Sequence, residues 1–175
     1  MKRTTVLPIL LVLLVSALLP LCADARSRRG ARRQEQARDR VEWSATNPPV
    51  NMTHIFEGQI NRQGKAVGFH ARPGGRNPAN ARVVRIENRP NRAGVYTAEV
   101  EIRDGGAGGP WLEKGSTFYP DALSREEVLQ AILHAFRGRT SGRSEKFRGP
   151  SGHGFTIEGY FQNGRISTAY PIFQR

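Results

Sequence analysis

The sequence predicts an α+β domain of mostly antiparallel strands with one capped internal helix. Three observations carry this. Short apolar runs alternate with Gly-, Asn- and Pro-rich turns over most of the chain. Residues 96–103 alternate apolar and polar with period two, as a half-buried strand does. One segment, at about 123–137, has helical period and both end signals. The 175 residues fit a single domain. With 27 Lys+Arg against 15 Asp+Glu the net charge is +12, so the expected partners are anionic: nucleic acid, an acidic membrane surface or an acidic protein. At 24% charged and 38% hydrophobic the chain is neither a disordered polyelectrolyte nor an integral membrane protein.

The N-terminus reads as an export signal. Lys2 and Arg3 precede an apolar run over 6–21 that is interrupted by Ser16 and two prolines, and Ala23-Asp24-Ala25 offers small residues for cleavage after Ala25. The expected location is periplasmic or extracellular, with no stable membrane insertion after cleavage. A minor alternative is lipidation at Cys22, but Leu21 is large where a lipobox has a small residue. Cleavage leaves 25 basic and 14 acidic residues, a charge of +11, and removes the single cysteine. Disulfides, thiolate–zinc sites and cysteine nucleophiles are then excluded together.

Residues 26–50 are expected to form a basic flexible arm. Seven arginines lie between 26 and 40 with little apolar surface to bury, and Asn47-Pro48-Pro49 closes the segment. The arm is either a solvated leader or a non-specific attraction for phosphates. The domain proper is placed at 51–175. Strands are expected at 54–60 and 65–70, joined as a hairpin across 61–64, then at 81–87 and 96–103, with a glycine-rich loop at 104–110. Toward the C-terminus Phe155, Ile157, Gly159 and Phe161 share one strand face, and Asn163-Gly164 turns the chain into a last strand over 165–173. Ser124 and Glu127 form a capping box, Leu123 and Val128 a hydrophobic staple, and Val128, Leu129, Ile132 and Phe136 an apolar stripe ended by Gly138. A short N-terminal helix is a further expectation.

Four histidines dominate the chemical inventory. His134 falls opposite the helix's apolar stripe and His153 in a glycine-rich loop, so both read as exposed. His54 opens one expected strand and His70 closes the next, so a hairpin would bring both imidazoles to one end. Two imidazoles of opposite protonation are an acid–base pair that works near neutral pH. No His/Glu cluster has zinc-ligand spacing, and no nucleophile-elbow or phosphate-loop motif is present.

Four segments then carry a resemblance. His54-Ile55-Phe56-Glu57-Gly58, followed by Gly68-Phe69-His70, resembles the paired-histidine signature of the EndoU endoribonucleases, with the family's separation of 16. Lys114-Gly115-Ser116-Thr117-Phe118-Tyr119-Pro120 resembles the family's lysine segment, and Ile166-Ser167-Thr168-Ala169-Tyr170-Pro171 its closing element. The resemblance spans 52–173 and extends to the bacterial branch of the family, often found as toxin tips. It implies an EndoU/barnase-like nuclease fold and a His54, His70, Lys114 active site. One imidazole would take the 2′-OH proton and the other protonate the leaving 5′-oxygen, with the roles left open. Thr168 would bind a base edge, usually uracil, and Tyr170 would orient the ribose. Arg72, Lys146 and Arg148 are expected to hold phosphates, the last two on a flexible cationic loop after the helix. The implied function is a secreted bacterial endoribonuclease cutting single-stranded or loop RNA to a 2′,3′-cyclic phosphate and a 5′-OH, as an antibacterial toxin. No cofactor or metal is required; manganese stimulation is known among relatives. RNA is the implied partner, with a cognate acidic immunity protein. The competing class is a non-catalytic basic protein that binds RNA or an envelope polymer.

Overall fold

The computed structural model describes residues 41–103, 109–140 and 145–175. The expected signal peptide, the arginine-rich part of the arm and the centre of the glycine loop lie outside the described residues. The end of the expected arm packs on the domain instead. Trp43 bridges Asn51, and the fully buried Val50 bridges Ile166. Val50 joins the larger core, and the Trp43 ring lies under the Arg165 guanidinium, 5.0 Å away.

The first helix, α1 (Met52–Phe56), stands where a strand was expected from residue 54. Asn51 caps it by accepting the His54 N–H at 2.9 Å, and Met52, Ile55 and Phe56 bury one side. The i, i+3, i+4 spacing of those three fits a helix, but five residues are too few to show a period. The expected hairpin follows in reduced form, as β1 (Gln59–Ile60) and β2 (Ala66–Val67). Its second strand stops at Val67 because Gly68 and Phe69 turn the chain with φ of 78° and 60°.

Three long strands form an antiparallel sheet in the order β3 (Ala81–Asn88), β4 (Tyr96–Arg103), β5 (Trp111–Phe118). The period-two pattern of β4 puts Tyr96, Ala98, Val100 and Ile102 into a core with Phe69 and Phe118. Helix α2 (Arg125–Arg137) has both halves of the capping box: Ser124 Oγ accepts from Glu127 N, and Ser124 N donates to Glu127. Removing such a cap costs about 1 kcal/mol. A second antiparallel sheet runs β6 (Lys146–Pro150), β7 (Thr156–Gln162), β8 (Arg165–Pro171). Strand β6 corrects the expected flexible loop. Phe147 is buried between exposed Lys146 and Arg148, an alternation too short and too basic to read as a strand. Between β7 and β8, Asn163 and Gly164 both have positive φ, as the two-residue hairpin turn requires.

Val128, Ile132 and Phe136 of α2 join Phe147, Ile157 and Ile166 of the second sheet and Ile55 of α1 in the larger core. Each sheet thus has its own apolar interior, and an open cleft lies where β5 meets β8. Among the described residues no helix is long and apolar enough to cross a membrane.

Candidate active site

The 68–70 segment is clamped from two sides. Helix α1 takes its N–H groups: Phe69 N donates to His54 O, and His70 N and Ala71 N donate to Ile55 O, at 2.8–3.0 Å. Residues at and after β5 take its carbonyls. Lys114 Nζ donates to Gly68 O at 2.9 Å, Ser116 Oγ to Phe69 O at 2.7 Å, and Tyr119 N to His70 O at 2.8 Å. Gly68 is required here twice, by its positive φ and because a Cβ would strike the His54 carbonyl. Phe69 also holds a left-handed φ, a cost of about 1–3 kcal/mol for a non-glycine residue. Its fully buried ring, edge-on to Phe118 at 5.0 Å, anchors it.

This clamp brings the two imidazoles to 5.8 Å between ring centroids. His70 is held in one tautomer. Its Nδ1 lies 3.0 Å from Thr117 O, which can only accept, so Nδ1 carries the hydrogen and Nε2 is left with a lone pair. Ser116 Oγ, 3.1 Å from the same nitrogen, has given its own hydrogen to Phe69 O. Burial, Lys114 and His54 all push the His70 pKa well below 6.5, against the raising effect of the Thr117 carbonyl. Burial and Lys114 lower His54 to about 4. Burial alone lowers Lys114 to about 8. Both imidazoles are therefore neutral at pH 7 beside an amine that is still largely charged.

Tyr170 completes the cluster, its ring 5.4 Å from that of His70. Its phenol donates to Glu158 at 2.5 Å. Burial and that bond push the Tyr170 pKa up, so the phenol stays neutral. Glu158 is only 8% exposed and is gripped from β6 by Lys146 and Arg148, each at 2.7 Å. Burial favours its neutral form, but the bonds from Lys146, Tyr170 and Arg148 outweigh this and hold it at about 2.

The structure brings His70, Lys114, Thr168 and Tyr170 to one cleft of about 560 Å³, with His54 against His70. Lys146 and Arg148 are near but bound to Glu158. Arg72 is not brought to the cleft. Its Nε donates to Tyr96 OH at 2.7 Å and it pairs with Asp121 at 2.9 Å. His134, bonded to the Pro150 carbonyl, and His153 are exposed and apart from the cluster. Three participants had no role in the sequence reading: Ser116, the Thr117 carbonyl and Glu158. Ser116 and Thr117 lie inside the quoted lysine segment; Glu158 had no signal short of the strand register that sets it beside Arg148 and Tyr170. Among the described residues no group of three or more His, Cys, Asp or Glu could hold a metal ion.

Comparison with known proteins gives a consistent picture. The family model described as bacterial EndoU nuclease matches residues 50–173. A Bacillus cereus protein named "Toxin" is 31% identical over 125 residues, which cover 70% of this chain and 22% of that protein. The chain therefore spans less than a quarter of this relative's length. No solved structure matches the chain.

Proposed function

The chain belongs to the bacterial EndoU nuclease family, and from that premise we propose that it is an endoribonuclease that cuts RNA by transesterification in the cleft between β5 and β8. The observation that carries this reading is the pair of imidazoles 5.8 Å apart, one of them fixed with its Nε2 lone pair free, beside the amine of Lys114. In this reading His70 is the base. Its Nε2 takes the proton of a ribose 2′-OH, and the oxygen attacks the adjacent phosphorus in line. The P–O5′ bond breaks, and His54 gives a proton to the departing O5′. The products are a 2′,3′-cyclic phosphate and a 5′-OH.

His54 must be protonated to act as the acid. A bound phosphodiester places a negative charge beside it and favours that form. Lys114 stabilises the charge that gathers on the non-bridging oxygens. Thr168 contacts a base edge, with uridine the expected choice, and Tyr170 supports the ribose. The nucleophile belongs to the substrate and two side chains carry both protons, so no cofactor is required in this scheme, and manganese would add stimulation only.

The export signal expected at the N-terminus, the net charge of +12 and the relative's name support a wider reading. The protein is an exported toxin, periplasmic or extracellular, that acts on the RNA of other cells and is blocked in its producer by an acidic immunity protein. The full chain, incubated with a uridine-containing oligoribonucleotide in EDTA and separately with manganese, tests the enzymatic part. Cleavage in EDTA is expected, with the matching DNA left intact for want of a 2′-OH. No cleavage under either condition would overturn the reading.

A further inference from the structure

The cleft extends beyond the reaction centre. It passes around the edge strand β5: Lys114 shares a face with Val100, toward His70, while Gly115 and Thr117 share the opposite face with Thr97, beside Glu87 and Asn88 of β3. The second group, the far end of the cleft, sits on β4 and β3, one and two strand spacings from β5, about 5 and 10 Å across the sheet. That is room for the base next to the one being cut.

Three features of the far end converge. Gly115 lies between the two ends, in a strand, without a positive φ, and a Cβ there would meet nothing within 4 Å. Neither backbone conformation nor internal packing calls for glycine at this position, and a strand glycine the fold does not need marks close approach from outside. The register sets Gly115 opposite Glu99 and Thr117 opposite Thr97, so a side chain at 115 would project onto the same face as Thr97.

The second feature is a fixed polar pair. Asn88 Nδ2 donates to Thr97 Oγ1 at 2.7 Å. That bond leaves the Asn88 amide oxygen as an acceptor and the Thr97 hydroxyl hydrogen as a donor. The third is Glu87, the extra residue of a bulge between Ile86 and Asn88. Bulges beside sites re-aim a side chain. The Glu87 carboxylate is 41% exposed, with Arg85 3.9 Å away.

Charge decides which part of RNA suits this end. Glu87 and Glu99 share one guanidinium, Arg85, which is bound to Glu99 at 2.9 Å. A phosphate would be repelled there; a neutral base would not. We propose that Glu87, Asn88, Thr97 and the bare backbone at Gly115 form a subsite for a neighbouring nucleobase that carries an exocyclic amine. The amine donates to Asn88 Oδ1 or to Glu87, and the adjacent ring nitrogen accepts from the Thr97 hydroxyl. Cytosine and adenine meet both demands and bring a second amine hydrogen for the other acceptor; uracil offers a single N3–H beside its carbonyl oxygens and so leaves either Asn88 Oδ1 or Glu87 unfilled.

The proposal rests on reading the cleft as an RNA site, so its test is a binding measurement that needs no cleavage. The full chain is titrated with fluorescent all-deoxy oligonucleotides that place deoxyuridine at the centre, flanked on both sides by deoxycytidine or by deoxyuridine. The expected result is tighter binding with deoxycytidine flanks, by about fivefold or more. Asn88→Ala and Thr97→Val should each bring that ratio toward one. Gly115→Val, with an unchanged melting temperature, should weaken both probes. Equal binding by the wild type, binding of neither probe, or a ratio that survives Asn88→Ala would overturn the subsite. A parallel assay on the ribonucleotide versions separates the two readings. No cleavage with the ratio intact removes the nuclease and keeps the subsite; cleavage without the ratio does the reverse.

Discussion

Two clusters in this molecule are built from the same parts. In one, Tyr96 donates its phenol to Asp121 at 2.7 Å while Arg72 binds both residues. In the other, Tyr170 donates to Glu158 at 2.5 Å while Lys146 and Arg148 bind the carboxylate. Their rings differ in surroundings. Tyr96 is 2% exposed and stacks on Phe118 at 5.0 Å inside the first sheet's core. Tyr170 opens onto the cleft, 5.4 Å from the His70 ring. The same hydrogen-bond chemistry is a brace where the ring is enclosed and, in the proposed reaction, a substrate support where the ring faces the His70 imidazole. Position relative to His70, not composition, separates the two.

That contrast breaks first if the cleft is not the reaction centre. His54→Ala and His70→Ala should each lower RNA cleavage by about 10²- to 10⁴-fold. Circular dichroism should show both variants folded; near wild-type activity in either would remove the acid–base assignment. Next comes Lys114, whose pKa is lowered to about 8. The amine is charged below that value and neutral above it, so kcat/KM, already falling with pH as His54 loses its proton, should fall more steeply above about 8. Lys114→Arg should move that limb upward, and Lys114→Ala should cost about 10²-fold or more at pH 7. A pH–rate profile checks both.

The tyrosines test the contrast directly. Tyr96→Ala should cost about 3–5 kcal/mol in denaturant unfolding, as large core truncations do, with activity per folded molecule kept. Tyr170→Ala should cost little stability but lower kcat/KM by about fivefold to a hundredfold, the range of a lost base-stacking contact. The reversed pattern would mean that the two clusters have been given the wrong roles. The smallest effect belongs to the carboxylates. Glu158→Gln should raise KM with kcat held within about twofold, because it loosens the positioning of Tyr170 and weakens the pairs to Lys146 and Arg148 without touching the two imidazoles. Asp121→Asn should leave both parameters unchanged in the folded fraction.

Much of this architecture was legible because local signals agreed with tertiary ones. The β4 alternation, the Ser124–Glu127 box and the Asn163-Gly164 turn each specify their element without outside help. The segments that misled are short. Helix α1 lasts barely more than one turn, and its evidence is a cap at Asn51 and three buried side chains. Strand β6 has one buried apolar side chain among basic neighbours and is ordered by pairing with β7. At the site, His54, His70 and Lys114 stood out through their motifs, since clamping the 68–70 segment needs a glycine at 68 and a Ser two residues after the lysine. Arg72 and Arg148 were indistinguishable as sequence, both being arginines in polar surroundings. Only the fold shows one bound beside Tyr96 and the other beside Tyr170. Glu158 carried no mark of its own, because its meaning lies in residues 10 and 12 positions away that meet it only across the sheet.

In the proposed reaction the cleft moves two protons through His54 and His70 to make a cyclic phosphate. Mass spectrometry of the RNA fragments released by the full chain in EDTA tests it most directly, with His70→Ala in parallel. The wild type should release 2′,3′-cyclic phosphate and 5′-OH ends, and the variant none above background. Fragments ending in 5′-phosphate and 3′-OH, or cyclic phosphate undiminished in His70→Ala, would contradict it.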